Sequence, residues 1–418
     1  MEIEPRTPTP SIQTSSTSAS GDPNPNARAQ RIHYLDNLRA AAMFLGVVLH
    51  AGLAYANPAQ SVWLATDTRS SIAVDMSLWF IHLFRMSLFF LLSGYFAKLV
   101  VTKKGWAKFL RQRGVRIFLP FMLFYVPLLV ATVSIIVFAL KYLDEPRGII
   151  GLIASADQAA DNQPSSNAPT TMHLWFLYYL GFFTLLTPLC ARFRFVKLDF
   201  LITGSRCLIV LPMVIFPAVV FSGVPLPAPE SFIPTWWPFL FYGSFYWLGW
   251  QIYDREGLLD QLQPKLRVLL SMSVLLYIVY YITMPVLQID ELMHLLKPAF
   301  TFQHAVSSLL TAYLSVWLTI CAILLGRRFL ESEVRWVRWL SDASYWVYLV
   351  HLPIVLGLQT LMIPLPWPVV VKLPLCIAGT LIPCLVSYVL FVRFTPIGWM
   401  LHGKRPWPRF SRSTIEPA

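Results

Sequence analysis

The chain has 418 residues, of which 56% are hydrophobic and 13% charged; 33 Lys and Arg against 21 Asp and Glu give a net charge of +12. With a mean hydropathy of +0.59, this composition excludes a soluble globular domain. The basic residues sit in clusters at the ends of long apolar runs, so the charge marks membrane flanks and not a nucleic-acid partner. The fold class expected is an all-α polytopic membrane protein embedded in the lipid bilayer.

Residues 1–32 are rich in Ser, Thr, Pro and Asn and are predicted to form a disordered cytoplasmic tail, without the apolar stretch of a cleavable signal peptide. The first span is predicted at 36–56, where Ala40, Ala41, Ala42 and Gly46 would let other helices approach. A second follows at 72–99 and ends in FFLLSGYF (Phe89 to Phe96). Next comes the densest basic cluster: Lys98, Lys103, Lys104, Lys108, Arg111, Arg113 and Arg116. Spans three and four are predicted at 117–140 and from His173 to just before Arg192, separated by a long polar loop. Span five covers 199–221. A Pro-rich loop then carries one charge, Glu230, before span six at 236–253. Spans seven to ten fall at 268–287, 299–325, 341–362 and 369–392, and a basic tail covers 396–418.

Ten spans with both termini in the cytoplasm put nearly every basic cluster on the inner side. The membrane domain is therefore expected over 33–395, in a cell inner membrane. No internal repeat is visible, so an inverted-repeat transporter has no sequence support. The five Cys lie in or beside apolar runs without a CxxC pair, which reads as packing and neither disulfide nor metal site.

Ionisable residues inside apolar runs stand out, because such a group costs roughly 2.5–3.5 kcal/mol at the centre of a span unless it faces a cavity or partner. Arg39 and His50 are eleven positions apart, about 16 Å and close to three turns, so they share a stripe of the first helix. A polar pocket along that helix is expected. His50 could serve as general base toward a hydroxyl, or as a packing His bonded to a neighbour. His82 and Arg85 lie three apart on one face of span two. They read as a cavity wall, or Arg85 as the structural partner of Asp75 or Asp36. His173 opens span four and His351 lies mid-span in span nine, whereas His304 reads as structural. Arg111, Arg113 and Arg116 could hold a phosphate-bearing ligand, since guanidinium forks bind phosphates bidentately, or could simply flank the membrane.

LDNLRAAAMFLGVVLH (Leu35 to His50) resembles the first helix of membrane acyltransferase family 3, whose signature is a basic residue, ten residues, then His. The Ser93-Gly94 turn in FFLLSGYF and RGVRIFLP (Arg113 to Pro120) resemble its second and third helices. Within that family FIHLFRMSLFFLLSGYF (Phe80 to Phe96), HLWFL (His173 to Leu177) and YLVHLP (Tyr348 to Pro353) are most similar to the glucans biosynthesis protein C branch. One departure is Leu352 after His351, where a second His is common.

The resemblance implies an O-acyltransferase with no permanently bound cofactor. It would move a succinyl or acetyl group from cytoplasmic acyl-coenzyme A to a hydroxyl of an envelope or periplasmic glycan. His50 would be the base, Arg39 would line the same channel, and Arg113 and Arg116 would hold the coenzyme A phosphates. His82, Arg85 or His173 would stabilise the oxyanion. Proteins of glucan synthesis or export and a second copy of the chain are the partners it leaves open, and no fused domain is expected after span ten. A proton-coupled transporter using His50, His82 and His351 as a relay is the competing reading, and an export partner of a glucan synthase is a third. The basic group at 111–116 separates the first two, because only a coenzyme A enzyme has a clear use for it.

Overall fold

The computed structural model describes residues 25–56, 63–159, 170–192, 204–255, 257–284, 301–331 and 334–403. Most of the two expected tails and the loop charges Asp290, Glu291 and Lys297 lie outside them. Among the described residues the chain is helical, with one isolated β-bridge between Thr170 and Ser231. The long helices are α1 (Pro25–Gly52), α2 (Ile72–Arg113), α3 (Leu119–Tyr142), α5 (Trp175–Arg192), α6 (Cys207–Ser222), α7 (Trp237–Asp254), α9 (Leu266–Thr283), α10 (Phe302–Phe329), α11 (Arg335–Met362) and α12 (Val369–Ser387). Shorter helices are α4 (Gly148–Ala159), α8 (Gly257–Leu262) and α13 (Pro396–His402).

Each of the ten expected spans coincides with one of the long helices. By length and apolarity, eight described stretches could cross a membrane. One of them, Ile72–Tyr142, joins α2 and α3 over 71 residues, and the Trp- and Tyr-rich α7 is not among the eight. α3 presents Met122, Val126, Val130, Val133 and Val137 outward. An exposed apolar stripe at helical spacing belongs against lipid. The protein is thus an all-α, multi-pass membrane protein.

The basic cluster does not form the expected loop. α2 continues through Lys98, Lys103, Lys104, Lys108 and Arg111 to Arg113. Lys and Arg are good helix formers, and the one break is a kink at Gly105, which takes φ +78, a conformation open to glycine. A π-bulge over Gly114–Phe118 then leads directly into α3. Pro120 has no amide to bond the Arg116 carbonyl four residues back. The Tyr345 hydroxyl supplies that bond at 2.5 Å.

The Ser93-Gly94 pair is likewise no turn. Gly94 lies inside α2 and lets it meet α7 backbone to backbone: a Cβ at Gly94 would overlap the Tyr246 carbonyl, and one at Gly249 the Leu91 carbonyl. Small residues permit such close crossings in membranes. Gly94→Ala must push the two helices apart, and is expected to cost about 1–3 kcal/mol, as overpacking does. Thermal unfolding in detergent measures it.

Between these two helices and α5 sits an aromatic core. Phe90 stacks on Tyr242 at 4.7 Å and meets Phe176 at 4.9 Å and Phe183 at 5.4 Å. Of the five cysteines, four are buried and Cys190 is exposed; none is in a disulfide. Contacts such as Lys98–Asp254 (2.8 Å) and Arg116 to the His402 carbonyl (2.8 Å) gather the basic segments at one end of the bundle.

Candidate active site

The end of the bundle opposite the basic clusters encloses a cavity of about 700 Å³. That size suits a small-molecule or group-transfer site. Its lining includes His50 on α1, His82 and Arg85 on α2, His173 just before α5, Glu230 on the loop after α6, Tyr242 on α7, and Tyr348 and His351 on α11. All five residues expected to carry chemistry therefore face one space. The ring of His50 lies 5.2 Å from that of His351, and His351 lies 5.5 Å from His173.

Backbone carbonyls set the tautomers. A carbonyl only accepts, so the ring nitrogen beside it carries the proton. His82 Nε2 donates to the Leu226 carbonyl at 2.8 Å, and His173 Nε2 to that of Leu349 at 3.0 Å. His351 Nδ1 donates to Tyr348 at 2.8 Å and Val347 at 3.1 Å. In the neutral imidazoles this leaves His173 Nδ1 and His351 Nε2 bare, and both are buried without a partner. His50 makes no side-chain hydrogen bond among the described residues, and its buried Nδ1 is unpartnered. In the neutral rings the single proton of His82 and of His173 is thus committed to a backbone carbonyl. Arg85 is the donor left. It forms no ion pair among the described residues: Asp75 is taken instead by the Trp79 indole (3.1 Å) and the Tyr281 hydroxyl (2.7 Å). Asp36 pairs with Arg39 at 3.3 Å. Gly46 makes the room, since a Cβ there would strike the Arg85 guanidinium.

His50 occupies the last turn of α1, whose carbonyls have no helical acceptor role left to fill. Gln359 caps two of them, donating from Nε2 to His50 (2.9 Å) and Ala51 (3.1 Å). Its Oε1 accepts from Trp63 Nε1 at 2.9 Å, which holds the indole 5.4 Å from the His50 ring. Sequence reasoning missed Gln359 and Trp63; an amide in an apolar run was the available signal.

Arg39 shares the His50 stripe but lies outside the cavity, whose α1 lining begins at Met43. It faces Phe96 at 5.8 Å and lies near enough to Arg113 and Arg116 to interact electrostatically. Arg113 and Arg116 have carbonyl partners, Ser93 (3.4 Å) and His402 (2.8 Å), and no carboxylate ones among the described residues. Arg111 is exposed. The contact at Ser93 is one helical turn beyond Phe89, so the Arg group begins about 6 Å past the cavity floor. That floor is aromatic: Phe89 and Phe176 are 5.6 Å apart, and Phe176 and Tyr348 are 6.0 Å apart. His304, by contrast, reaches the Val220 carbonyl at 3.0 Å and ties α10 to α6. No cluster of three or more metal-ligating side chains is found among the described residues.

Unpartnered imidazole nitrogens and a guanidinium with no ion pair among the described residues thus converge in one cavity of a helical membrane protein, a set of groups able to take up a proton and to bond an anionic oxygen. The chain belongs to the acyltransferase family, whose Acyltransferase domain matches residues 32–389. It is similar to the glucans biosynthesis protein C of Escherichia coli K12, at 26% identity over 350 residues, covering 78% of this chain and 83% of that protein. The glucans biosynthesis protein C of Salmonella typhimurium LT2 is 24% identical over 415 residues, covering 93% and 98%. No solved structure matches. The chain is thus a membrane O-acyltransferase, the enzyme class expected from its motifs.

Proposed function

We propose that the enzyme takes an acyl group from cytoplasmic acyl-coenzyme A and transfers it, across the bundle, to a hydroxyl of an envelope glycan, with His50 as general base. The carrying observation is the pairing of two cationic places: Arg85 in the cavity, with no ion pair among the described residues, and Arg39, Arg113 and Arg116 just beyond its aromatic floor. Phosphates of the donor would lie at Arg113 and Arg116, and the thioester would pass between Phe89 and Phe176. The acceptor hydroxyl gives its proton to His50 as its oxygen bonds the thioester carbon. Negative charge then develops on the carbonyl oxygen beside Arg85. The carbon–sulfur bond breaks, and the proton on His50 neutralises the departing thiolate. The name shared by the similar proteins, glucans biosynthesis protein C, supports a glucan acceptor. A succinyl or acetyl donor fits a cavity of this size.

The test is thiol release from acetyl- and succinyl-coenzyme A by the purified protein with a glucan acceptor. Arg113→Ala and Arg116→Ala should each raise the donor KM about tenfold or more, since one charge-assisted hydrogen bond is worth about 1.5–3 kcal/mol. A donor KM unchanged in both variants would sink the assignment of the phosphate site.

A further inference from the structure

Glu230 is unused by that chemistry. It is the one carboxylate among the described residues lining the cavity, on the loop between α6 and α7. Its backbone is held firmly. The Glu230 carbonyl accepts from the Thr171 amide (2.6 Å) and hydroxyl (2.8 Å). On either side, the Leu226 carbonyl accepts from His82 and the Phe232 carbonyl from the Tyr178 hydroxyl (2.6 Å). The side chain, however, has no hydrogen bond or ion pair among the described residues. Burial pushes its carboxyl up to about 7. Glu230 is half-buried, and an acid without a protein partner on a pinned loop is available to the hydroxyls of a ligand.

The surroundings define the ligand. Trp63 and Trp175 line the same cavity, and Trp63 is fixed by Gln359. Aromatic faces give broad apolar contact with a polar edge, the surface that the CH-rich face of a sugar ring requires. A carboxyl accepts hydrogen bonds from neighbouring hydroxyls, and when protonated also donates one. A neutral polyhydroxyl compound can bond both Glu230 and Arg85 through its hydroxyls without bringing a further charge into the cavity.

We infer that Glu230, with Trp63 and Trp175, forms the acceptor subsite, and that the Glu230 carboxyl grips hydroxyls of a neutral sugar so that a further hydroxyl reaches His50. This rests on the acyltransferase reading, so the experiment separates the two. Binding of a glucose oligosaccharide to the purified protein is measured by tryptophan fluorescence without any donor. Wild type, Glu230→Gln and Glu230→Ala are compared, after their melting curves have been matched. Acceptor and donor KM are then measured with acetyl-coenzyme A.

Glu230→Ala should weaken oligosaccharide binding and raise acceptor KM about tenfold or more, with Glu230→Gln intermediate. The donor KM should move by less than about twofold. If the alanine variant does not fold, the isosteric Gln variant carries the test. Unchanged oligosaccharide affinity in the folded variants overturns the subsite, as does a wild-type protein that binds no oligosaccharide, or a donor KM that rises in step with the acceptor KM. Binding that depends on Glu230 in a protein that transfers no acyl group upholds the subsite and overturns only the proposed reaction.

Discussion

His50→Gln and His50→Ala should lower kcat about 10²–10⁴-fold, the range a positioned general base contributes, while leaving unfolding in detergent close to wild type. The two halves of that expectation have different grounds. A histidine kept for packing would hold a neighbour, as His304 holds the Val220 carbonyl and His82 that of Leu226. His50 makes no side-chain hydrogen bond among the described residues, and it faces an existing cavity, so its removal opens little new void. What it loses is a base 5.2 Å from the His351 ring. Thiol release with acceptor present gives kcat, and the donor KM should stay near wild type because the Arg group lies beyond the cavity floor. A fall in stability that matches the fall in activity would make His50 a structural residue and remove it from the chemistry.

His351→Ala discriminates less sharply, since its Nδ1 is tied to two carbonyls of its own helix. Its Nε2 and the Nδ1 of His50 are nevertheless both buried without a partner, on rings 5.2 Å apart. That juxtaposition could not be read along the chain. Periodicity tells which face of a helix a residue occupies and never which helix it meets. The stripe shared by Arg39 and His50 was therefore legible, while the convergence of His173 and His351 on His50 was not. The long apolar runs located the ten long helices. The continuation of α2 through the basic cluster was hidden, because a glycine among lysines and arginines reads as a loop until Gly105 is seen absorbing the bend alone. Glu230 was visible as the single charge of a Pro-rich loop, but its place in the cavity depends on how Thr171 and Tyr178 pin that loop, which no local pattern encodes.

The clearest signal left unread was Lys372, an ammonium in the second turn of an otherwise apolar α12. An ionisable group at such a position calls for a partner, and the partner is Asp67, on the loop after α1. Both are fully buried, at 0% and 1% exposure, and joined by a direct ion pair. Lys372 also donates to the Ile363 carbonyl at 3.3 Å. Asp67 in turn accepts from the Arg69 amide at 2.9 Å, and its own amide bonds the Ala54 carbonyl at 2.9 Å. The pair thus fastens the loop carrying Trp63 to the ends of α1, α11 and α12. Lys372→Met should cost about 3–5 kcal/mol, because it strands a buried carboxylate without its counter-charge. The double variant Lys372→Met with Asp67→Asn removes both charges and keeps an oxygen for the Arg69 amide, so it should recover most of that loss. Equilibrium unfolding in mixed detergent micelles measures both. Activity adds a second reading: with the loop released, Trp63 no longer stays over His50, so the single variant should lose turnover even at temperatures where it remains folded. Equal stability of the single and double variants would show that the charge of Asp67 is not what Lys372 neutralises, and that the lysine is held by the carbonyl of Ile363 alone.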